Sequence, residues 1–317
     1  MMALLLDILS IVLPVFLVIG LGMGLKKAGM VDGSFLFQLN RLVYYLALPA
    51  LLFHKIATAD FSASFNGGLL AGMLIAVFLT AVLAYSFALW RGYPPNIRGS
   101  FCQGAFRGNL AYIGLAIVFN AQGESGLAAA GILLGFMVPV FNFLSVVVLL
   151  LPHRGAAGER RYGVRFWVRQ IGGNPLILAS FAGILWSYWR LPLPPVVDRS
   201  LDIVTGMALP LALLAIGGSF SLKRLKGDIA RAMLATLIKI VWLPLFTACI
   251  LLSFGIGGQG LAIGVIFAIT PTATAAYIMA QQMGGDAELS GSIIMLTTLL
   301  SVVPYTVALM LLQSMGL

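Results

Sequence analysis

Ten times along its 317 residues the chain runs apolar for about the twenty positions that a helix needs to cross a bilayer. The runs lie at 5–25, 42–58, 67–90, 100–122, 127–151, 172–190, 203–222, 232–254, 259–284 and 290–315. Inside hydrocarbon every backbone N–H and C=O must find a partner within the protein, so runs of this kind fold as helices. Charged residues make up 9% of the chain, against roughly 25% in soluble domains. That excludes an ordinary soluble fold and predicts an all-α polytopic membrane protein with ten transmembrane helices. The opening MMALLLDILSIVLPVFLVIGLGMGLKK lacks a basic leader and stays apolar too long for a cleaved signal peptide, so it reads as the first span.

Lysines and arginines set the expected orientation. Connections 1–2, 3–4, 5–6 and 7–8 hold fourteen of them: Lys26, Lys27, Arg41, Arg91, Arg98, Arg154, Arg160, Arg161, Arg165, Arg169, Lys223, Arg224, Lys226 and Arg231. The other side holds three, Lys55, Arg190 and Arg199. Cytoplasmic loops carry the basic excess, which places both termini on the non-cytoplasmic side of a multi-pass protein in the cell's inner (plasma) membrane. Connection 9–10 carries Asp286 and Glu288 and no base, and acids weigh little in this rule. The net charge of +9 therefore belongs to loops at a lipid surface rather than to a nucleic-acid interface, and the RRYGVRFWVRQ stretch of the 5–6 connection mixes Arg with Phe and Trp as a segment at headgroup level does.

The two halves repeat each other. A shift of 161 lays Pro14 on Pro175, Gly22 on Gly183 and Ala47-Leu48-Pro49 on Ala208-Leu209-Pro210. A shift of 165 lays Ala111-Tyr112-Ile113 on Ala276-Tyr277-Ile278, Ser125-Gly126 on Ser290-Gly291 and Val138-Pro139 on Val303-Pro304. Each half holds five spans, an odd number, so the second copy sits upside down relative to the first. This is the inverted-repeat plan of secondary transporters, whose solute sites lie near the midplane. The expected organisation is repeat A over 1–151, a basic cytoplasmic loop over 152–171 and repeat B over 172–317.

Span 9 contains TPTATAAYIMAQQMGG, beginning at Thr270. Pro271 has no N–H and its ring clashes with the preceding turn, so a helix entering from Leu261 stops near Ile269. A second helix then starts with Thr270 as N-cap and Pro271 at its first position. At the shift of 165 the matching stretch is GAFRGNLAYIG in span 4, where Gly104 and Gly108 ease an interruption and Asn109 can cap the second half. Two broken helices, 4 and 9, then cross near the centre and bring two N-terminal dipole ends together, which favours an anion.

GNLAYIGLA in span 4 and PTATAAYIMAQQMGGDAEL in span 9, within five plus five spans around a basic loop, resemble the auxin efflux carrier family. That family includes plant PIN-type auxin exporters and bacterial permeases for small dicarboxylates such as malate or malonate. The resemblance implies a fold like that of bile-acid and sodium–proton transporters, with spans 1, 2, 6 and 7 as scaffold and spans 3–5 and 8–10 as a moving transport unit. It also implies homodimers, elevator-like motion and efflux of an organic anion. The family's crossover Asn and Pro carry over to Asn109 and Pro271. One departure is Ala116, where many members have proline.

The candidate substrate-binding residues are Arg107, Asn109, Tyr112, Asn142, Thr270, Thr272, Thr274, Tyr277 and Gln281, with Gly108 and Pro271 as helix breaks and Lys239 as a possible secondary contact. Arg107 costs about 2.5–3.5 kcal/mol if it faces lipid, so it either receives an anion in a cavity or lifts its head toward the cytoplasm. Lys239 leaves the same choice. Asn109 and the threonines supply neutral hydrogen bonds at the crossing, or serve as plain caps. Tyr112 and Tyr277 occupy equivalent places in the repeats, and Gln281 lies one turn beyond Tyr277. Asn142 and Gln281 equally suit bonds between membrane helices. The only cysteines, Cys102 and Cys249, lie in apolar runs and make neither a disulfide framework nor a metal-ligand spacing, so neither metal nor cofactor is expected. The only histidines, His54 and His153, sit near span ends, and no nucleophile–base pair lies within the spans, which argues against an enzyme. No Asp or Glu falls mid-span, so ion coupling through side chains is expected to be weak or absent. The rival readings are a sodium- or proton-coupled organic-anion symporter of the bile-acid type and a membrane receptor or regulator.

Overall fold

A computed structural model describes residues 2–60, 64–153, 173–219 and 228–314 of the chain. The basic stretch around Arg154, Arg160, Arg161, Arg165 and Arg169, and also Lys223, Arg224 and Lys226, lie outside the described residues. The described residues are helical throughout, apart from connections and one isolated bridge between Gly108 and Thr272. In chain order the helices are α1 (Met2–Lys27), α2 (Gly33–Leu42), α3 (Leu48–Ala57), α4 (Gly67–Trp90), α5 (Pro95–Phe106), α6 (Leu115–Leu150), α7 (Pro175–Tyr188), α8 (Pro195–Ser219), α9 (Ile229–Leu237), α10 (Leu243–Ser253), α11 (Gly258–Ile269), α12 (Ala275–Gln282), α13 (Ala287–Leu300) and α14 (Val302–Ser314).

Six stretches of helix among the described residues are long and apolar enough to cross a membrane, or seven when α13 and α14, bent by 46° at Ser301, are taken as one span. This makes the chain a polytopic helical membrane protein. The ten apolar runs are not ten uninterrupted helices. The runs in the α5 and α11 regions are broken after twelve helical residues each, and α7 has fourteen. Within Leu110–His153 the backbone leaves the helical region at Gly123, φ 63° and ψ −153°, which separates the second half of the fourth run from the fifth. Two helices begin eight or more residues before their apolar runs. Asp32 caps α2 by accepting the Phe35 N–H at 2.7 Å, so that helix starts at Gly33 and not at 42. In α8 the helix starts at Pro195.

Prolines shape these helices in a consistent way. Pro49 and Pro244 each follow a five-residue π-helical segment, Val43–Ala47 and Ile238–Trp242. A proline removes the N–H that would reach back four residues, and widening the preceding turn relieves its ring clash. The Leu48 and Leu243 N–H groups accordingly bond back to Val43 and Ile238.

The chain divides into two compact units. One comprises Met1–Asn66, Ala111–Pro139 and Val164–Phe220. In it α1 and α8 approach through glycines: a Cβ on Gly217 would stand 1.9 Å from the Ile19 carbonyl oxygen, and one on Gly22 2.4 Å from that of Leu214. Small residues at such contacts let helix backbones pack closely where no hydrophobic force drives association. The other unit comprises Gly67–Leu110, Val140–Gly163 and Ser221–Leu317. There Gly72 and Gly264 both admit Leu251, and Gly104 admits Ile293. The second unit contains α5, α11 and α12.

Candidate functional site

The crossing is built by replacing, one at a time, the hydrogen bonds that the breaks remove. Helix α11 ends at Ile269, and Thr270 leaves it extended at φ −46°, ψ 135°. Pro271 has no N–H for the Phe267 carbonyl, and the Thr270 hydroxyl donates to that carbonyl instead, at 2.7 Å. The Thr272 N–H turns away from the helix to Thr297 Oγ1, at 3.0 Å. On the other strand, α5 ends at Phe106, with Arg107 extended at φ −75°, ψ 114°. The Arg107 N–H still reaches the Gln103 carbonyl, at 3.0 Å, and the next carbonyl, that of Gly104, receives the Thr272 hydroxyl at 2.9 Å.

The two extended segments then pair antiparallel. Asn109 N–H donates to the Pro271 carbonyl at 2.8 Å, and Ala273 N–H to the Arg107 carbonyl at 3.4 Å. Gly108 at the centre has no room for a side chain, since a Cβ there would stand 2.2 Å from Thr270 Oγ1. Beyond the crossing the fourth run resumes as a π-helical turn, Leu110–Gly114, and the ninth resumes as α12.

This geometry corrects the sequence reading at the caps. Thr270 is not the N-cap of the second half-helix, and Pro271 is not its first residue; α12 begins at Ala275, with Thr274 as N-cap and no side-chain capping bond. The extra extended residues are the ones that pair with Arg107–Asn109, a pairing that local helix signals do not encode. Thr270 and Thr272 are fully buried, and both hydroxyls donate to backbone carbonyls. Thr272→Val keeps the shape but removes the donor to Gly104. The expected cost is about 1–3 kcal/mol, the penalty of an orphaned buried acceptor, seen as a lower unfolding temperature. An unchanged midpoint would show that this bond does not hold the crossing.

Arg107 is buried, and its head group is held inside the protein rather than lifted to the surface. Its guanidinium donates to Ser145 Oγ at 2.7 Å, Asn142 Oδ1 at 2.8 Å and the Phe141 carbonyl at 3.4 Å, all on the second half of α6. Two residues that the sequence singled out separately, Arg107 and Asn142, are thus bonded to each other. Ser145 and Thr297 were not singled out; small hydroxyl residues in apolar runs give little signal until a partner is known. Asn109 differs from its neighbours. It is 7% exposed, its backbone N–H is used in the crossing, and its side-chain amide makes no hydrogen bond among the described residues. On α12, Thr274 and Gln281 are exposed and Tyr277 is half-buried. Tyr112 lies on the π-turn three residues past Asn109 and is half-buried. Lys239 is fully buried, with its ammonium on the Ala268 carbonyl in the last turn of α11.

The first compact unit holds a separate cavity of about 390 Å³ that the sequence did not disclose. Its walls include Val15, Val18, Leu51, Phe119 and Leu213, and Lys55, Glu124 and Asp202 also line it. The Lys55 ammonium lies 3.0 Å from Glu124 and 3.9 Å from Asp202. These three come from segments far apart in the chain, and each read as an ordinary loop charge. Among the described residues no group of three or more His, Cys, Asp or Glu side chains could hold a metal ion.

Comparison with known proteins gives the following. A family model described as "Membrane transport protein" matches residues 7–309. The chain is 28% identical over 317 residues to a protein of Rhizobium meliloti named "Putative malonate transporter", covering 97% of each. It is 28% identical over 293 residues to an "Uncharacterized transporter" of Methanothermobacter thermautotrophicus, covering 92% of this chain and 94% of that one. A shorter similarity, 26% over 145 residues, links 44% of this chain to 25% of "Auxin efflux carrier component 6" of Arabidopsis thaliana.

Proposed function

We propose, from the premise that this chain belongs to the auxin efflux carrier family of membrane transport proteins, that it exports a small organic anion across the cell's inner membrane by alternating access. That it is a membrane transporter follows from the family, and the names of its relatives describe transport rather than an enzyme. The observation that carries the finer reading is Asn109: a residue only 7% exposed whose side-chain amide makes no hydrogen bond among the described residues, at a break between half-helices, where Thr270 and Thr272 are committed to backbone carbonyls. An anion needs donors. The Asn109 amide supplies them, the N-terminal end of α12 adds a positive dipole end, and Thr274 and Tyr277 belong to that same helix end, with Gln281 one turn beyond Tyr277. Arg107 contributes positive potential from its seat on Asn142 and Ser145.

The ten runs act as two inverted five-span repeats. Antiparallel pairing at the crossing supports this, because residues 107–109 and 272–274 coincide at the shift of 165, and a two-fold axis in the membrane plane requires equivalent segments to meet head to tail. Spans 1, 2, 6 and 7 form the scaffold and spans 3–5 and 8–10 the moving unit of an elevator-like homodimer, with both termini outside. The separate clustering of the segments of spans 1, 2, 6 and 7 and of spans 3, 8, 9 and 10 supports that division, although part of spans 4 and 5 clusters with the first group.

For the substrate, a small dicarboxylate comes first, because the relative matched over 97% of both chains is named for malonate. Proteoliposomes preloaded with unlabelled malonate are expected to accumulate labelled malonate faster than unloaded vesicles. Uptake no greater than in protein-free vesicles, for malonate and for a panel of small mono- and dicarboxylates and indole acids, would overturn the reading.

A further inference from the structure

The carbonyl end of α11 receives a lysine side chain that comes from elsewhere in the chain. In an unbroken helix the Phe267, Ala268 and Ile269 carbonyls would accept from residues 271, 272 and 273. Pro271 has no N–H, the Thr272 N–H goes to Thr297 and the Ala273 N–H goes to Arg107. Phe267 is served by the Thr270 hydroxyl and, at 3.3 Å, by the Thr270 N–H. Ala268 is served by Lys239, which sits on the π-helical segment Ile238–Trp242 and has no exposed surface. An ammonium has three donors, and among the described residues Lys239 uses one hydrogen bond and no carboxylate partner. A bare cation buried in this way is unfavourable unless something negative faces it. The negative dipole end of a twelve-residue half-helix does so. The other half-helix ending at the crossing, α5, has Arg107 as its C-cap residue, with the guanidinium turned to Asn142 and Ser145 on α6.

We infer that Lys239 is a tethered counter-cation: its ammonium occupies the place that a free metal cation would take at the carbonyl end of the broken helix, so the crossing is complete without bound sodium. Lys239 is then a positioning residue for the crossing and does not touch the substrate. For transport, the inference rests on the carrier reading and implies that the cycle draws no cation into this position. The charge placement itself stands apart from any substrate.

The test is therefore made on the purified full-length chain without substrate. Unfolding temperature is followed by tryptophan fluorescence in sodium chloride and in N-methylglucamine chloride at equal ionic strength. The wild-type midpoint is expected to be the same in both salts, and Lys239→Arg is expected to follow it. Lys239→Ala, which empties the position, is expected to unfold several degrees lower and to recover part of that loss in sodium only. Lys239→Met, which fills the space without charge, is expected to be destabilised in both salts. Folded protein recovered from the arginine variant but from neither neutral variant would also support the inference. A wild-type midpoint that rises in sodium would overturn it, and so would neutral variants as stable as wild type and blind to the salt. If malonate counterflow fails while this salt pattern holds, the carrier reading falls and the tethered cation stands.

Discussion

Gly108→Ala is expected to abolish transport and to lower the unfolding temperature sharply, although it adds a single methyl group. The new Cβ would stand 2.2 Å from Thr270 Oγ1, 3.1 Å from Leu110 Cδ2 and 3.5 Å from the Phe267 carbonyl oxygen. The threonine can move aside only by rotating its hydroxyl away from the Phe267 carbonyl, which leaves that carbonyl the longer bond from the Thr270 N–H, at 3.3 Å. Overpacking and the lost hydroxyl bond together amount to about 1.5–4.5 kcal/mol. The clash has a specific signature. Thr270→Ala removes the obstructing hydroxyl, so the double variant Gly108→Ala/Thr270→Ala should be more stable than the sum of the two single effects predicts. Strict additivity in the unfolding midpoints, or a Gly108→Ala protein with wild-type stability, would mean that the close approach of the two segments is not what fixes the crossing.

Asn109→Ala tests the site rather than the fold. The side-chain amide has no hydrogen bond among the described residues, so truncating it leaves no buried partner unsatisfied. Its backbone N–H, which does hold the crossing at the Pro271 carbonyl, is retained by alanine. Stability should therefore change little. Transport should fall by about 10- to 150-fold, the equivalent of losing one hydrogen bond to a charged group, roughly 1.5–3 kcal/mol. Comparing initial rates of labelled-anion counterflow at matched protein density, together with the unfolding midpoint, separates the two effects. Undiminished transport would place the anion elsewhere. A midpoint lowered as far as that of Gly108→Ala would make the amide a structural group.

The residue types at the break were readable in advance because their effects are local. A proline removes its own N–H wherever it stands in a helix, and the pairing of two glycine- or proline-interrupted runs at one sequence shift needs no coordinates to notice. The caps were misread for the same reason. Thr270 followed by proline has the form of a helix start, and only the strand-like pairing with residues 107–109 draws the backbone out as far as Thr274. Arg107 shows the limit from another side. Its cost in lipid could be stated from its position alone, but not that Asn142 and Ser145, 35 and 38 residues on, would receive it.

What the sequence determined by itself is what short-range chemistry and the solvent dictate: a helical membrane protein, a basic bias of its loops that sets the expected orientation, two interrupted runs that match at one sequence shift, and a family. What only the tertiary structure decided is which donor meets which orphaned carbonyl: the Thr272 hydroxyl on Gly104, Thr297 on the Thr272 N–H, Lys239 on Ala268, and Asn109 with its amide left over. Those pairings join segments up to 168 residues apart. They follow from how helices pack, and in a chain that exposes many large apolar side chains as well as burying them the hydropathy pattern carries little information about that.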